Sequence, residues 1–185
     1  MGKKKFDTGT ITINDKDRYA YKIVKCCDKN GNDLKFDYFC HDIYAIIRLI
    51  IPEEAIIVTP SNIIIETRSR SDLFVKRRCN KLYFDRVMSY FYITNTIHGG
   101  PTIARIYTKD LDRFLKDEHS DRSLIEYHSY YRNFIENYHI ITYKQNTLIK
   151  PAEGYLDMDV SKECACGLHF FFTLKELYNY LDYLI

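Results

Sequence analysis

The opening third of the chain alternates apolar and polar residues with a period of two, which predicts half-buried strands. Arg18-Tyr-Ala-Tyr-Lys-Ile-Val-Lys-Cys-Cys27 reads as one strand. Asp28-Lys-Asn-Gly-Asn-Asp33 reads as a turn with an Asn-Gly signal, and Leu34 to Cys40 as the returning strand of a hairpin. Ile43 to Ile51 is apolar almost throughout and stops at Pro52, after which Pro-Glu-Glu-Ala55 is expected to open a short helical turn. Asn62 to Thr67 and Lys81 to Ile93 are rich in β-branched and aromatic residues and are expected at the centre of a sheet.

Helical spacing appears later. Leu111, Phe114 and Leu115 share a face in Thr108 to Glu118, with Thr108 as N-cap. His119 to Arg122 reads as a connection, and Ser123 to Tyr138 fits a helix or a broken strand equally well. Tyr138 to Tyr143 and Thr147 to Lys150 read as short strands around a turn at Gln145-Asn146, and Pro151 to Gly154 breaks the pattern. Gly167 to Phe172 reads as a last strand, with Phe170 and Phe172 on one face. Thr173 then caps a helix that carries Leu174, Leu177 and Leu181 on one side. No repeat and no Pro/Gly/Ser-rich linker interrupts the chain. The expectation is α+β: a single domain over residues 1–185, mainly antiparallel, with a C-terminal helix and a flexible basic N-terminus at residues 1–9.

Composition narrows the classes. With 185 residues, 46% hydrophobic and 28% charged, the chain can bury a core and lies far from the disordered regime. The 17 Tyr and 11 Phe beside no Trp accompany many Ile, Lys and Asn, as A/T-rich codons would give. A net charge of +2 is too balanced for the whole surface to bind nucleic acid, so such a role would need a local patch. There is no signal-peptide core and no apolar run long enough to span a membrane, which predicts a soluble cytosolic protein. Gly2 lacks the Ser or Thr at position six that myristoylation requires, since Phe6 stands there. The six cysteines, in a reducing compartment, are expected to stay free thiols.

Several separated segments resemble, in order, an uncharacterised domain of mimivirus-like giant-virus proteins that is often found beside pentapeptide repeats. They are Tyr21 to Asn32, Leu49-Ile-Ile-Pro-Glu-Glu-Ala55, Lys76-Arg-Arg-Cys79, Glu126-Tyr-His-Ser129 and Glu163-Cys-Ala-Cys-Gly-Leu-His-Phe-Phe171. The chain departs from that pattern after Ser129, where Tyr-Tyr-Arg replaces a glycine, at Leu168 in place of isoleucine, and at the additional thiol Cys166. The resemblance implies a fold and a viral origin and carries no catalytic residue. Its implied setting is the host cytoplasm or the virion.

Four constellations carry candidate chemistry. Cys164, Cys166 and His169, completed by Cys79, are zinc-type ligands, but their spacing is not that of a paired knuckle, and buried thiols are the simpler reading. Gly167-Leu-His-Phe-Phe followed by Tyr178 and Tyr180 is similar to the glycine-aromatic strand and tyrosine helix of poly-ADP-ribosyltransferases, with His98 in Ile97-His-Gly-Gly100 as a second element. The late carboxylates, Glu176 and Asp182, both fall on the expected helix. His128 beside Ser129 offers a base and a nucleophile, with no nucleophile-elbow motif around them. Arg68, Arg70, Lys76, Arg77, Arg78 and Lys81, flanked by Phe74 and Tyr83, form a basic run that could meet phosphates or make a solvated loop and edge strand. The expected function is a non-enzymatic interaction or virion-associated accessory module, with a protein partner of unknown kind and no cofactor. A degenerate ADP-ribosyltransferase-like enzyme and a nucleic-acid-binding accessory protein are the alternatives.

Overall fold

The structure is a computed structural model that describes residues 9–36, 41–61, 74–95, 100–117, 122–132, 138–162 and 165–184. In chain order it contains β1 (Thr10–Ile13), β2 (Arg18–Cys27), β3 (Lys35–Phe36), β4 (His41–Asp42), β5 (Tyr44–Ile51), β6 (Ile56–Thr59), β7 (Arg77–Cys79), β8 (Leu82–Asn95) and β9 (Pro101–Ile106). Then follow α1 (Thr108–Asp117), β10 (Glu126–Arg132), β11 (Tyr138–Tyr143), β12 (Leu148–Ile149), β13 (Leu168–Phe170) and α2 (Leu174–Leu184). The architecture is mostly antiparallel sheet with two helices, one of them C-terminal, in keeping with α+β. One sheet has the order β1-β6-β7-β13. A seven-stranded sheet runs β11-β10-β2-β5-β8-β12 with β9 on β8, and β3 pairs with β4.

Two compact units emerge. The first draws on the described residues within Met1–Lys22, Arg48–Asp85 and Asn146–Leu184, the second on those within Ile23–Ile47 and Arg86–Gln145. The division falls inside β2, β5 and β8, so no linker marks it in the sequence.

In the first unit the aromatic C-terminal block is core. Phe170, Leu168 and Leu177 are wholly buried and Leu181 nearly so. Phe170 meets Phe172 edge-on at 5.1 Å, while Phe74 packs against Phe171 and Tyr180. Helix α2 starts with a reciprocal cap: Thr173 Oγ1 accepts the Glu176 N–H at 3.1 Å, and Glu176 Oε2 accepts the Thr173 N–H at 3.2 Å. In the second unit Leu111 and Leu115 of α1 are buried, and Tyr90 and Tyr127 share a buried hydroxyl–hydroxyl bond at 2.8 Å. There the expected turn uses its Asn-Gly signal, with Gly31 at φ 83° and Asp28 Oδ1 accepting the Asn30 and Asn32 N–H groups. The segment after it does not return as a strand on β2: beyond a single bridge from Cys27 to Asp33 it becomes β3, which pairs with β4, while β2 is flanked by β10 and β5.

Some expectations change in detail. The described residues of the ambiguous stretch form the end of a 3₁₀ turn at Arg122–Leu124 and then strand β10, whose backbone pairs with β2 and β11; residues 133–137 lie outside the described residues. The turn after Pro52 does not propagate as helix: Ala55 N–H closes on the Pro52 carbonyl at 3.2 Å with Glu54 at φ 62°. Helix α1 includes Thr108, and the Tyr107 carbonyl accepts the Asp110 and Leu111 N–H groups. The strand expected over Asn62 to Thr67 lies outside the described residues.

Candidate functional site

Two of the segments singled out in the sequence meet in the first unit. Antiparallel β13 lies on β7 with Leu168 opposite Cys79, His169 opposite Arg78 and Phe170 opposite Arg77. Strand β7 also pairs with β6, so Arg77 and Arg78 of the basic run stand on an interior strand of their sheet and not on the edge strand expected. Side chains alternate across a strand. Cys79 therefore shares a face with Leu168, and Arg78 shares the opposite face with His169.

Arg78 is the centre of this ladder. It is 0% exposed, and its guanidinium donates to three backbone carbonyls: Nε to Asp157 at 2.8 Å, Nη1 to Lys162 at 2.7 Å and Nη2 to Asp159 at 2.6 Å. A buried cation is tolerable only when its donors are met, and the planar fork of arginine meets three divergent acceptors. The segment 157–162 is bound up further by its own side chains. The Asp157 carboxylate accepts the Asp159 N–H at 2.9 Å and the Lys162 ammonium at 3.0 Å, and Asp159 accepts the Ser161 N–H and hydroxyl. These bonds hold the Asp157 and Asp159 carboxyls below their ordinary range, the Asp159 N–H leading for the first and Ser161 for the second.

Gly167 explains the glycine of the Cys-x-Cys-Gly segment. At φ 146° it occupies a conformation that side chains rarely adopt, and a Cβ there would stand 2.7 Å from Leu156 Cδ1 and 3.0 Å from Arg78 Cβ. The chain thus passes close over Arg78 before entering β13.

The neighbouring basic groups are also engaged. Arg77 Nη1 pairs with Glu176 Oε1 at 2.9 Å, both largely shielded, and its guanidinium lies 4.8 Å from the Phe172 ring centre. Lys76 lies over Tyr180 at 5.7 Å. Lys22 donates to the His169 carbonyl at 2.8 Å. Although Lys22 keeps some solvent exposure as a residue, protein surrounds its ammonium. Desolvation first, and then the nearby Lys76 charge, bring its pKa from 10.5 down to about 7. Burial pushes the Cys79 thiol up to about 12, and it donates to the Lys81 and Leu168 carbonyls. Cys166, partly exposed, donates to the Tyr155 hydroxyl at 3.2 Å.

Among the described residues, the sequence candidates do not converge on one site. Cys79 and His169 sit on opposite faces of adjacent strands and cannot share a metal; Cys164 lies outside the described residues. Among the described residues, no three His, Cys, Asp or Glu side chains gather as a metal site. His128 belongs to the second unit, buried, with Nε2 at 3.0 Å from Glu126 Oε2, while Ser129 bonds Tyr143. Its neighbour Ser129 alternates to the other strand face, which separates the proposed base from the proposed nucleophile. His98, Arg68 and Arg70 lie outside the described residues. Arg78 has no surface to offer a phosphate, and Phe74, 4% exposed, offers none for base stacking.

Sequence reasoning missed β1, whose four residues Thr-Ile-Thr-Ile are all exposed. Their alternation was present in the sequence, but over too short a run to stand out. It also missed the carbonyl cage around Arg78, which has no local signature because its acceptors are backbone atoms far along the chain. Neither the family models nor the curated proteins nor the solved structures contain a match to this chain.

Proposed function

We propose that this chain is a non-enzymatic interaction module of the giant-virus accessory type, acting in the host cytoplasm or the virion and recognising protein through a strand edge. The viral assignment rests on the ordered sequence segments described above. The observation that carries the interaction reading is β1: an edge strand whose Ile13 is 72% exposed, beside a ladder whose reactive groups are engaged in architecture. Such an edge offers a row of backbone donors and acceptors to an extended segment, with its side chains supplying specificity.

The enzymatic alternative has less to stand on. Glu176, a late carboxylate of the ADP-ribosyltransferase-like segment, is occupied by Arg77 and by the N–H groups of Phe172 and Thr173. A carboxylate with those partners has little freedom to approach a ribose.

The test is a displayed library of extended peptides, with hits titrated by fluorescence anisotropy against the native chain and Ile13→Lys. Binding that weakens in the variant supports the reading. Transfer of labelled ADP-ribose from NAD to candidate proteins, lost in His169→Ala, would replace it with the enzymatic one.

A further inference from the structure

The backbone parity of β1 shows what its edge presents. Asn14, just past the strand, donates its N–H to the Ala55 carbonyl at 2.8 Å and accepts the Glu54 N–H at 2.9 Å. Backbone groups of an antiparallel strand alternate sides. Thr12 and Thr10 therefore also face β6, and Ile11 and Ile13 turn their N–H and C=O groups outward. Their side chains are 47% and 72% exposed, the latter the most exposed large apolar side chain among the described residues. At the far side of the sheet the chain is closed, because Phe171 and Tyr21 exchange both backbone bonds at 2.9 and 2.7 Å. Edge strands are ordinarily guarded by charge, proline or a bulge. Thr-Ile-Thr-Ile carries no charge and no proline.

We propose that β1 pairs with β1 of a second copy of this chain, antiparallel about a two-fold axis through Thr12. This deepens the interaction-module reading by naming the partner, and it rests on that reading. The strand is complementary to itself in that register. Ile11 lies opposite Ile13 of the second copy, and these are the residues whose backbone groups point away from β6, so each such pair exchanges both N–H···O=C bonds. The isoleucines of both copies then cover each other on one face, and threonine meets threonine on the other. A two-fold pairing closes after one partner, because β1 of each copy is then paired on both sides. With four residues a side the contact falls well below the roughly 1,200 Å² of a stable interface, so the dimer is reversible and depends on concentration.

Sedimentation equilibrium across a concentration series tests this, with the far-UV spectrum and melting curve of each variant confirming its fold. The native chain is expected to shift from one to two copies as concentration rises. Ile11→Lys with Ile13→Lys places ammonium groups directly opposite one another and should raise the dissociation constant about tenfold or more. Thr12→Cys sits on the axis, where paired Cα atoms are about 4.5 Å apart, within reach of a disulfide. It should form a covalent dimer on mild oxidation beyond any seen for the native chain, and Thr10→Cys should not. A mass of one chain throughout together with no Thr12→Cys disulfide, a dimer indifferent to the lysines, or equal cross-linking at both cysteines would overturn the proposal. A monomer whose β1 still binds an extended peptide would reject self-pairing and leave the interaction-module reading standing. Failure of both would reject the two together.

Discussion

Arg78 in the first unit and Lys25 in the second are both shielded cations neutralised in different ways. Arg78 is held by the carbonyls of Asp157, Asp159 and Lys162, so its partners are dipoles that do not titrate. Lys25 is held by carboxylates, with Asp33 at 2.5 Å and Asp42 at 2.8 Å, and Asp42 also pairs with Lys35. Burial alone would lower the Lys25 pKa, but its bonds to Asp33 and Asp42 outweigh that and raise it. Likewise burial would raise Asp42, and Lys25 with Lys35 pull it below its ordinary range. The first arrangement is a fixed staple indifferent to mild acid. The second is an ion-pair cluster whose strength follows pH.

The sharpest way to break this comparison is Arg78→Met, which takes the guanidinium donors from the Asp157, Asp159 and Lys162 carbonyls and leaves Asp159 only the Lys162 N–H at 3.2 Å. It should cost about 3 kcal/mol or more in urea unfolding, by nearly the same amount at pH 5 and at pH 8. Arg78→Lys should recover little, because one ammonium cannot reach three acceptors that a planar fork spans. A loss that changed strongly across this pH range would show that a titrating partner, not the carbonyl cage, holds the cation.

Lys22 gives the next effect. Its folded pKa of about 7 lies below its ordinary 10.5, so the unfolded chain binds the proton more tightly between those values. Stability should therefore rise as pH climbs from about 7 to 10 and fall again as it returns, by several kcal/mol at most. Lys22→Met should remove that rise and stabilise the protein at neutral pH. Equal pH slopes in native and variant chains would contradict the assignment.

Gly167→Ala should cost about 1–3 kcal/mol, since it combines an unfavourable φ with a close approach to Leu156 and Arg78. Thermal melting reads it directly, and a neutral result would mean that the passage over Arg78 is slack. The smallest effect belongs to Asp42→Asn, about 1 kcal/mol because Asp33 remains. The Asp42 contribution is fully present above the ordinary carboxylate pKa and fades as pH falls through the depressed folded value, so the gap between native and variant should begin to narrow near about pH 4 and close only beneath the folded value. Paired urea titrations at pH 3 and pH 7 check the sign.

The two units differ in how much of this was legible. The span of β2 and the stretch that becomes β8, which the two units share, and the Asn-Gly turn of the second were all visible, because long period-two runs and a turn dipeptide are local signals. Helix α2 of the first unit was equally plain, with Thr173 and Glu176 at capping-box spacing and Leu177 and Leu181 on one face. The site was not. Lys76-Arg-Arg-Cys79 reads as a solvated charge run, and nothing in its neighbourhood announces that Arg78 turns inward to carbonyls some 80 residues away. Strand β1 is short, and its importance lies in which backbone groups face outward, a property set by the partner strand β6. Cys79 and His169 were grouped by ligand type, and strand parity separated them.

Amide hydrogen exchange along β1, followed residue by residue at low and high protein concentration, tests the edge-strand account most directly. The Thr10 and Thr12 amides, turned toward β6, should be protected at both concentrations. The Ile11 and Ile13 amides should exchange quickly in dilute protein and slow markedly as it is concentrated. Rapid exchange of Thr12, or Ile11 and Ile13 rates that ignore concentration in the absence of any strand-binding partner, would contradict it.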